Sequence, residues 1–149
     1  MRMKHDFNVR RAAKESLVRP AVVLSGIQAR AVARGVAKYV ESSNVIVNAC
    51  AILQDHVHLL VSRHRLDIET LASKFKAAAT SSLSAEGLHP FAEQSYKNGK
   101  LPSPWAKKHW SVFLGTDQDI GRTVKYINDN PIRHGMKPQR YRFVTLPRA

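Results

Sequence analysis

Two histidines one residue apart, His56 and His58, and a distant tyrosine, Tyr126, are the side chains whose types and spacing could do chemistry together. If residues 56–63 (HVHLLVSR) form a strand, alternation puts both histidines on one face, with Val57 and Leu59 on the other. Their Cβ atoms then lie roughly 6–7 Å apart, within reach of one divalent ion. Neutral imidazole suits borderline metals, and water and substrate oxygens can complete the shell for Mn or Mg. Arg122, Tyr126 and Asn130 recur at four-residue steps, so a helix carries them along one stripe. A phenol is a workable nucleophile when its pKa falls from near 10 or when the phosphate it attacks is polarised. A metal on the histidine pair would polarise that phosphate, and Asn130, one turn on, could add a carboxamide oxygen to the metal. Each part also has a plain reading, as a half-polar strand face or a packing tyrosine. Their combination is the informative feature.

Elements that would position these groups follow from the chain's patterning. Residues 17–24 read as a strand, with Pro20 placing it at an edge or at its start. Ser25 caps a helix over residues 26–41, whose apolar positions are Ile27, Ala31, Val32, Val36 and Val40. Residues 44–53 (NVIVNACAIL) are apolar on both faces, as in a central strand, and Gln54-Asp55 turn the chain into the His56 strand. Asp67 caps a second helix to about Ser84, with Ile68, Leu71, Phe75 and Ala78 on its apolar stripe. Residues 86–104 hold three prolines and two glycines and read as an irregular connection. WSVFL at 110–114 reads as a short strand. Thr116 or Asp117 caps a last helix over 117–129, with Ile120, Val124 and Ile127 inward, which Asn130-Pro131 should stop. The sum is an α+β sandwich, a small and mainly antiparallel sheet with helices packed on it.

Composition narrows the partner. A chain of 149 residues fits a single domain over 1–149, with a polar, basic leader at about 1–16 and a basic tail from about 137 that reads as mobile. Lys+Arg number 24 and Asp+Glu 11, a net charge of +13, which favours an anionic partner, nucleic acid first. The surplus sits at the ends: +6 over residues 1–50, +1 over 51–100 and +6 over 101–149. Candidate phosphate contacts are Arg30, Arg34, Lys74, Lys76, Lys107, Lys108, Arg122, Lys125 and Arg133. The single Cys50 excludes an internal disulfide and any multi-cysteine zinc cluster. No apolar run nears the roughly 18 residues of a membrane span, and the opening residues do not resemble a signal peptide. A cytoplasmic setting with no membrane partner is the expectation.

Taken in order, DHVHLLV (55–61), the basic helix after it, the W-x-V-F strand (110–113) and YINDNP (126–131) resemble the single-tyrosine HUH transposases. The REP-associated branch is the nearer likeness, beside the insertion-sequence branch, and the resemblance is clear over about residues 45–136. It implies a ferredoxin-like (RRM-like) antiparallel sheet with the histidine pair on a central strand. It also implies metal-dependent nicking and strand transfer on single-stranded or hairpin DNA, with Mg or Mn and a covalent 5′-phosphotyrosine intermediate. By position, His56 and His58 match the metal pair, Tyr126 the nucleophile and Asn130 the third ligand. Relatives work as monomers or as homodimers, and the sequence is compatible with either. The competing function is a non-catalytic single-stranded nucleic-acid binder on the same fold. Residues 45–53 and 57–61 lack the aromatics that an RRM stacks on, leaving Trp105, Trp110 and Phe113 to stack bases from the edge. A two-histidine phosphoesterase would need paired H-x-T motifs, and the residue after His58 is Leu59.

Overall fold

Alternation in two short apolar runs sets the frame. β1 (Val47–Ile52) and β2 (Val57–Val61) form an antiparallel hairpin, and both are buried along their whole length. β3 (Trp110–Leu114) joins β2 in parallel, giving the order β1-β2-β3. The structure is a computed structural model describing residues 22–93, 101–106, 109–116 and 118–147. Among these residues the sheet is mixed, so the antiparallel expectation holds for the hairpin alone. A helical crossover, which parallel neighbours require, runs between β2 and β3. β2 is the central strand; β1, expected there, lies beside it.

Three helices sandwich the sheet. α1 (Gly26–Ser43) starts at Ser25, whose Oγ accepts from the Gln28 N–H while the Gln28 side chain accepts from the Ser25 N–H, a reciprocal capping box. α2 (Ile68–Ala85) starts at Asp67, whose carboxylate accepts from the Thr70 N–H at 2.7 Å. Together they cover one sheet face, with Val32, Val36, Leu71, Phe75 and Leu83 packed on Ile52, Val57, Leu59 and Val61. Ile27 and Ile68, expected inward, lie in the first turn of their helices and are 56% and 38% exposed.

The two helices touch closely at Gly35, where an added Cβ would meet the Ala78 carbonyl oxygen at 2.6 Å and Ala79 Cα at 2.9 Å. Both obstacles are backbone, so relief requires the helices to part. Gly35→Val should therefore lower stability by about 3 kcal/mol, read as a urea midpoint shift, despite a better intrinsic helix former replacing glycine. A midpoint unchanged or raised would refute the close approach.

α3 (Ile120–Arg133) packs on the opposite face. There β1 presents Ala49 and Ala51, whose small side chains let the helix settle close, with Ile127 against them and Leu60. Its N-cap position is Asp119, whose side chain makes no capping bond; the Thr116 carbonyl accepts from the Asp119 and Ile120 N–H groups instead. The helix also runs through Asn130-Pro131, which was expected to stop it. Proline in the last turn forfeits one intrahelical bond, a smaller loss than in a helix interior. The true stop is Gly135, at φ 76°, in a Schellman motif: the Met136 N–H donates to the Pro131 carbonyl and the Gly135 N–H to the Ile132 carbonyl.

Two expectations about the ends change. Of the strand expected over 17–24, residues 17–21 lie outside the described residues, and Val22–Leu24 are not in a strand; the Leu24 N–H donates to the Gln54 carbonyl at 2.7 Å. The tail, read as mobile, is docked as far as Thr145. Gln139 pairs with β1 as a neighbouring strand would, its Nε2 donating to the Ile52 carbonyl and its Oε1 accepting from the Ile52 N–H, each at 2.8 Å. Val144 bridges Val47, and the Thr145 N–H donates to the Val47 carbonyl. Tyr141 and Phe143 stack with centroids 5.1 Å apart and pack on the core.

Candidate metal and nucleophile site

His58 shares the α3-facing side of β2 with Leu60, and His56 lies two residues before it at the mouth of the hairpin turn. The two rings meet edge to face, centroids 4.6 Å apart. His56 Nδ1 is held 2.6 Å from Asp55 Oδ1, which fixes that ring and leaves Nε2 as its other nitrogen. His58 is 7% exposed, and its buried Nδ1 has no hydrogen-bond partner. Burial first, then the neighbouring His56, His134 and Arg133, pulls the His58 pKa down to about 4. The imidazole is thus neutral and a lone-pair donor at ordinary pH.

α3 brings the downstream residues to this face. At about 100° per residue, Asn130 lies about 60° and Tyr126 about 100° from Ile127, the inward centre of the helix. Asn130 is accordingly buried at 3% exposure, whereas Tyr126 stands at the helix margin, 46% exposed. The Tyr126 ring is 6.1 Å from that of His58 and nearly perpendicular to it. Arg133 lies over the same phenol ring, its guanidinium carbon 4.9 Å from the centroid. On the other side of His58 stacks Phe113, at 6.2 Å with an interplanar angle of 8°. The structure therefore gathers His56, His58 and Tyr126, with Asn130 inward of them on the same helix.

A family model described as "Transposase IS200 like" matches residues 19–130. The chain belongs to the IS200-like transposase family. Comparison with curated proteins gives no match, and comparison with solved structures gives none either. Membership makes transposition the class of activity and DNA the partner. No helix among the described residues is long and apolar enough to cross a membrane.

For a DNA partner the basic residues separate by layer. Arg122, Lys125 and Arg133 line, with Tyr126, Asp129 and Ile132, a groove of about 390 Å³ on α3. Lys125 also pairs with Asp129 at 2.9 Å, one turn along. Arg30, Arg34, Lys74 and Lys76 ride on α1 and α2, across the sheet from the histidines. Arg34 is engaged with Glu86, clamping α1 to the end of α2. Lys107 and Lys108 lie outside the described residues. Trp110 is buried, and Trp105 is partly buried with its Nε1 donating to Thr80 Oγ1 at 2.8 Å, so Phe113 is the aromatic placed for base stacking beside the site.

The donor set fits a divalent ion in part. Two adjacent imidazoles, one held by a carboxylate and one with an orphaned buried nitrogen, suit a borderline metal. Among the described residues, no group of three His, Cys, Asp or Glu side chains is already gathered in ligating geometry. Sequence reasoning missed Asp55 as the orienting partner, although it stands next to His56. It also missed His134, whose ring lies 5.7 Å from that of His56. A helix extended past Pro131 was the missing signal.

His109, just before β3, is a second buried histidine, its Nε2 unpartnered and its ring edge-on to Trp105 at 4.8 Å. Burial, opposed by Asp55 and aided by His56 and Lys76, lowers its pKa to about 4. An unfolded histidine titrates near 6.5, so the unfolded chain takes up the proton first as pH falls. Stability from this group is full above about pH 6.5 and is lost towards pH 4. At pH 4.5 the metal-free protein should have lost about 2–3 kcal/mol through His109 alone. His109→Leu should shrink the difference between the urea midpoints at pH 7.5 and 4.5; an unaltered difference would count against it.

Proposed function

We propose that this chain nicks single-stranded DNA beside a hairpin and transfers the strand, through a covalent 5′-phosphotyrosine on Tyr126 and with a divalent ion, Mg or Mn, at His56 and His58. Asn130 adds its carboxamide oxygen to the protein's donors. The observation that carries the reading is the Tyr126 ring 6.1 Å from buried His58, itself 4.6 Å from His56, within one chain. That proximity favours the tyrosine acting in cis, so a monomer suffices. The ferredoxin-like sheet that the family resemblance implies, and the cytoplasmic setting expected from the chain's composition, belong to the same reading.

When bound, the ion supplies polarisation of a phosphate oxygen and neutralises charge that develops there. Tyr126 Oη, exposed at the helix margin, forms a bond to the scissile phosphorus. The P–O3′ bond breaks, the phenol gives up its proton to solvent, and the departing 3′-oxygen takes one up. Attack by another 3′-hydroxyl reverses the step, rejoining DNA and returning the proton to the phenol, with no external energy source. Arg122, Lys125 and Arg133 hold the flanking phosphates, and Phe113 offers a stacking surface to a base.

The test is to incubate the protein with end-labelled hairpin DNA from its own genomic neighbourhood and Mn²⁺. A protein–DNA band that survives denaturation is the expected result. Tight binding of the same hairpins without any adduct would instead establish the non-catalytic single-strand binder.

A further inference from the structure

Resting on the reading above, we propose that Arg133 is a positioning residue for the nucleophile: besides meeting phosphate, its guanidinium holds the Tyr126 phenol in the orientation from which it attacks. The helix that carries both residues brings them together. Seven residues turn an α-helix by about 700°, within about 20° of two full turns, so Arg133 stands in line with Tyr126 and about 10 Å further along the axis. Helical side chains lean towards the N-terminus, and arginine is long enough to reach back along that line. The alignment depends on α3 continuing through Pro131 to Arg133. A helix stopped at Asn130 would not hold it.

Two contacts record the reach. The guanidinium carbon lies 4.9 Å from the Tyr126 ring centroid, inside the range of about 6 Å over which a cation is drawn to an aromatic face. Nη2 of the same group donates to the Tyr126 main-chain carbonyl at 3.3 Å. Arg133 thus grips Tyr126 at its ring and at its backbone. The His58 ring meets the same phenol, nearly perpendicular and with centroids 6.1 Å apart. At 46% exposure Tyr126 has little core packing to fix its rotamer, so these contacts are what select one. The groove leaves Arg133 this role, since its acidic residue, Asp129, is paired with Lys125 at 2.9 Å. A guanidinium carries five N–H donors, and one spent on a carbonyl leaves the others for phosphate. Lysine would bring the charge without the plane or the fork. A nucleophile displaced by about an ångström can lose about 100-fold in rate, which sets the scale of the effect.

The experiment uses the full chain with labelled hairpin DNA and Mn²⁺. It reads single-turnover adduct formation at saturating DNA, with hairpin affinity from a gel shift beside it. Arg133→Lys should slow adduct formation at least about 10-fold while affinity stays within about 3-fold of the parent. Arg133→Ala should slow it about 100-fold even at saturation. A phosphate contact alone gives the opposite split, weaker affinity with the parental rate at saturation. That split in Arg133→Ala, or an Arg133→Lys protein matching the parent in both readings, would overturn the positioning role and leave the nucleophile in place. In the DNA-free chain, NMR should find the Arg133 δ-methylene protons shifted upfield by the Tyr126 ring, and the shift should vanish in Tyr126→Leu. Unshifted protons in the parent would overturn the grip without any activity being read. A parent chain that forms no adduct would overturn the nucleophilic reading and this role with it.

Discussion

Tyr126→Phe should abolish the denaturation-resistant DNA adduct, lowering its rate of formation by at least about 10³-fold, while hairpin binding stays within a few-fold of the parent. The substitution isolates one oxygen. The ring stays beside His58 and under Arg133, and at 46% exposure it anchors no core whose loss could confuse the result. Removing the nucleophile leaves no equivalent substitute, since an imidazole of His56 or His58 attacking phosphorus would give a P–N bond and not the phosphotyrosine ester. A gel-shift titration run beside the adduct assay separates the two effects. An adduct that persists in Tyr126→Phe would move the nucleophile elsewhere, and among the described residues there is no second phenol on this face: Tyr39 packs on Phe75, and Tyr141 bonds Gln139 Oε1. The Tyr141 phenol is moreover pushed upward by burial.

What the sequence made legible follows from which forces act locally. Ser25 and Asp67 are capping residues whose side chains bond three residues on, so both helix starts can be read from a short window. The strand expected over residues 56–63 forms over Val57–Val61, with His56 just before it, and the one expected at 110–114 forms as Trp110–Leu114. The last helix shows the limit of that reasoning. Proline's preference at position 131 is real, but packing of Ile127 on Ala49, Ala51 and Leu60 and the Schellman closure at Gly135 outweigh it over one turn. The extra turn is what buries Asn130 and carries His134 to within 5.7 Å of His56. The docked tail was hidden for another reason: a glutamine side chain imitating a strand has no periodic signature. Arg34 likewise looked available for phosphate until the fold placed Glu86, distant in sequence, against it.

His58→Gln should cost at least about 100-fold in adduct formation, and chelation by EDTA should abolish it, with Mn²⁺ restoring the parent but not the variant. The buried His58 Nδ1 has no partner: leaving such a group unpaired costs about 1–3 kcal/mol, a loss that a purely structural residue at this position would not be expected to carry. Burial also keeps the ring neutral, since it drives the pKa to about 4, so the lone pair is available wherever DNA chemistry would run. Asp55→Ala extends the test outward. Asp55 touches His56 and no other ligand, and removing it frees that ring, which should weaken Mn²⁺ binding about 10–100-fold without removing a ligand. A graded series, with Asp55→Ala partly rescued by raising Mn²⁺ and His58→Gln not rescued, is the signature of a metal pair with an orienting carboxylate. If His58→Gln instead formed adduct at the parental rate in EDTA, the polarising charge would have to come from Arg122, Lys125 and Arg133, and the histidines would revert to a polar strand face.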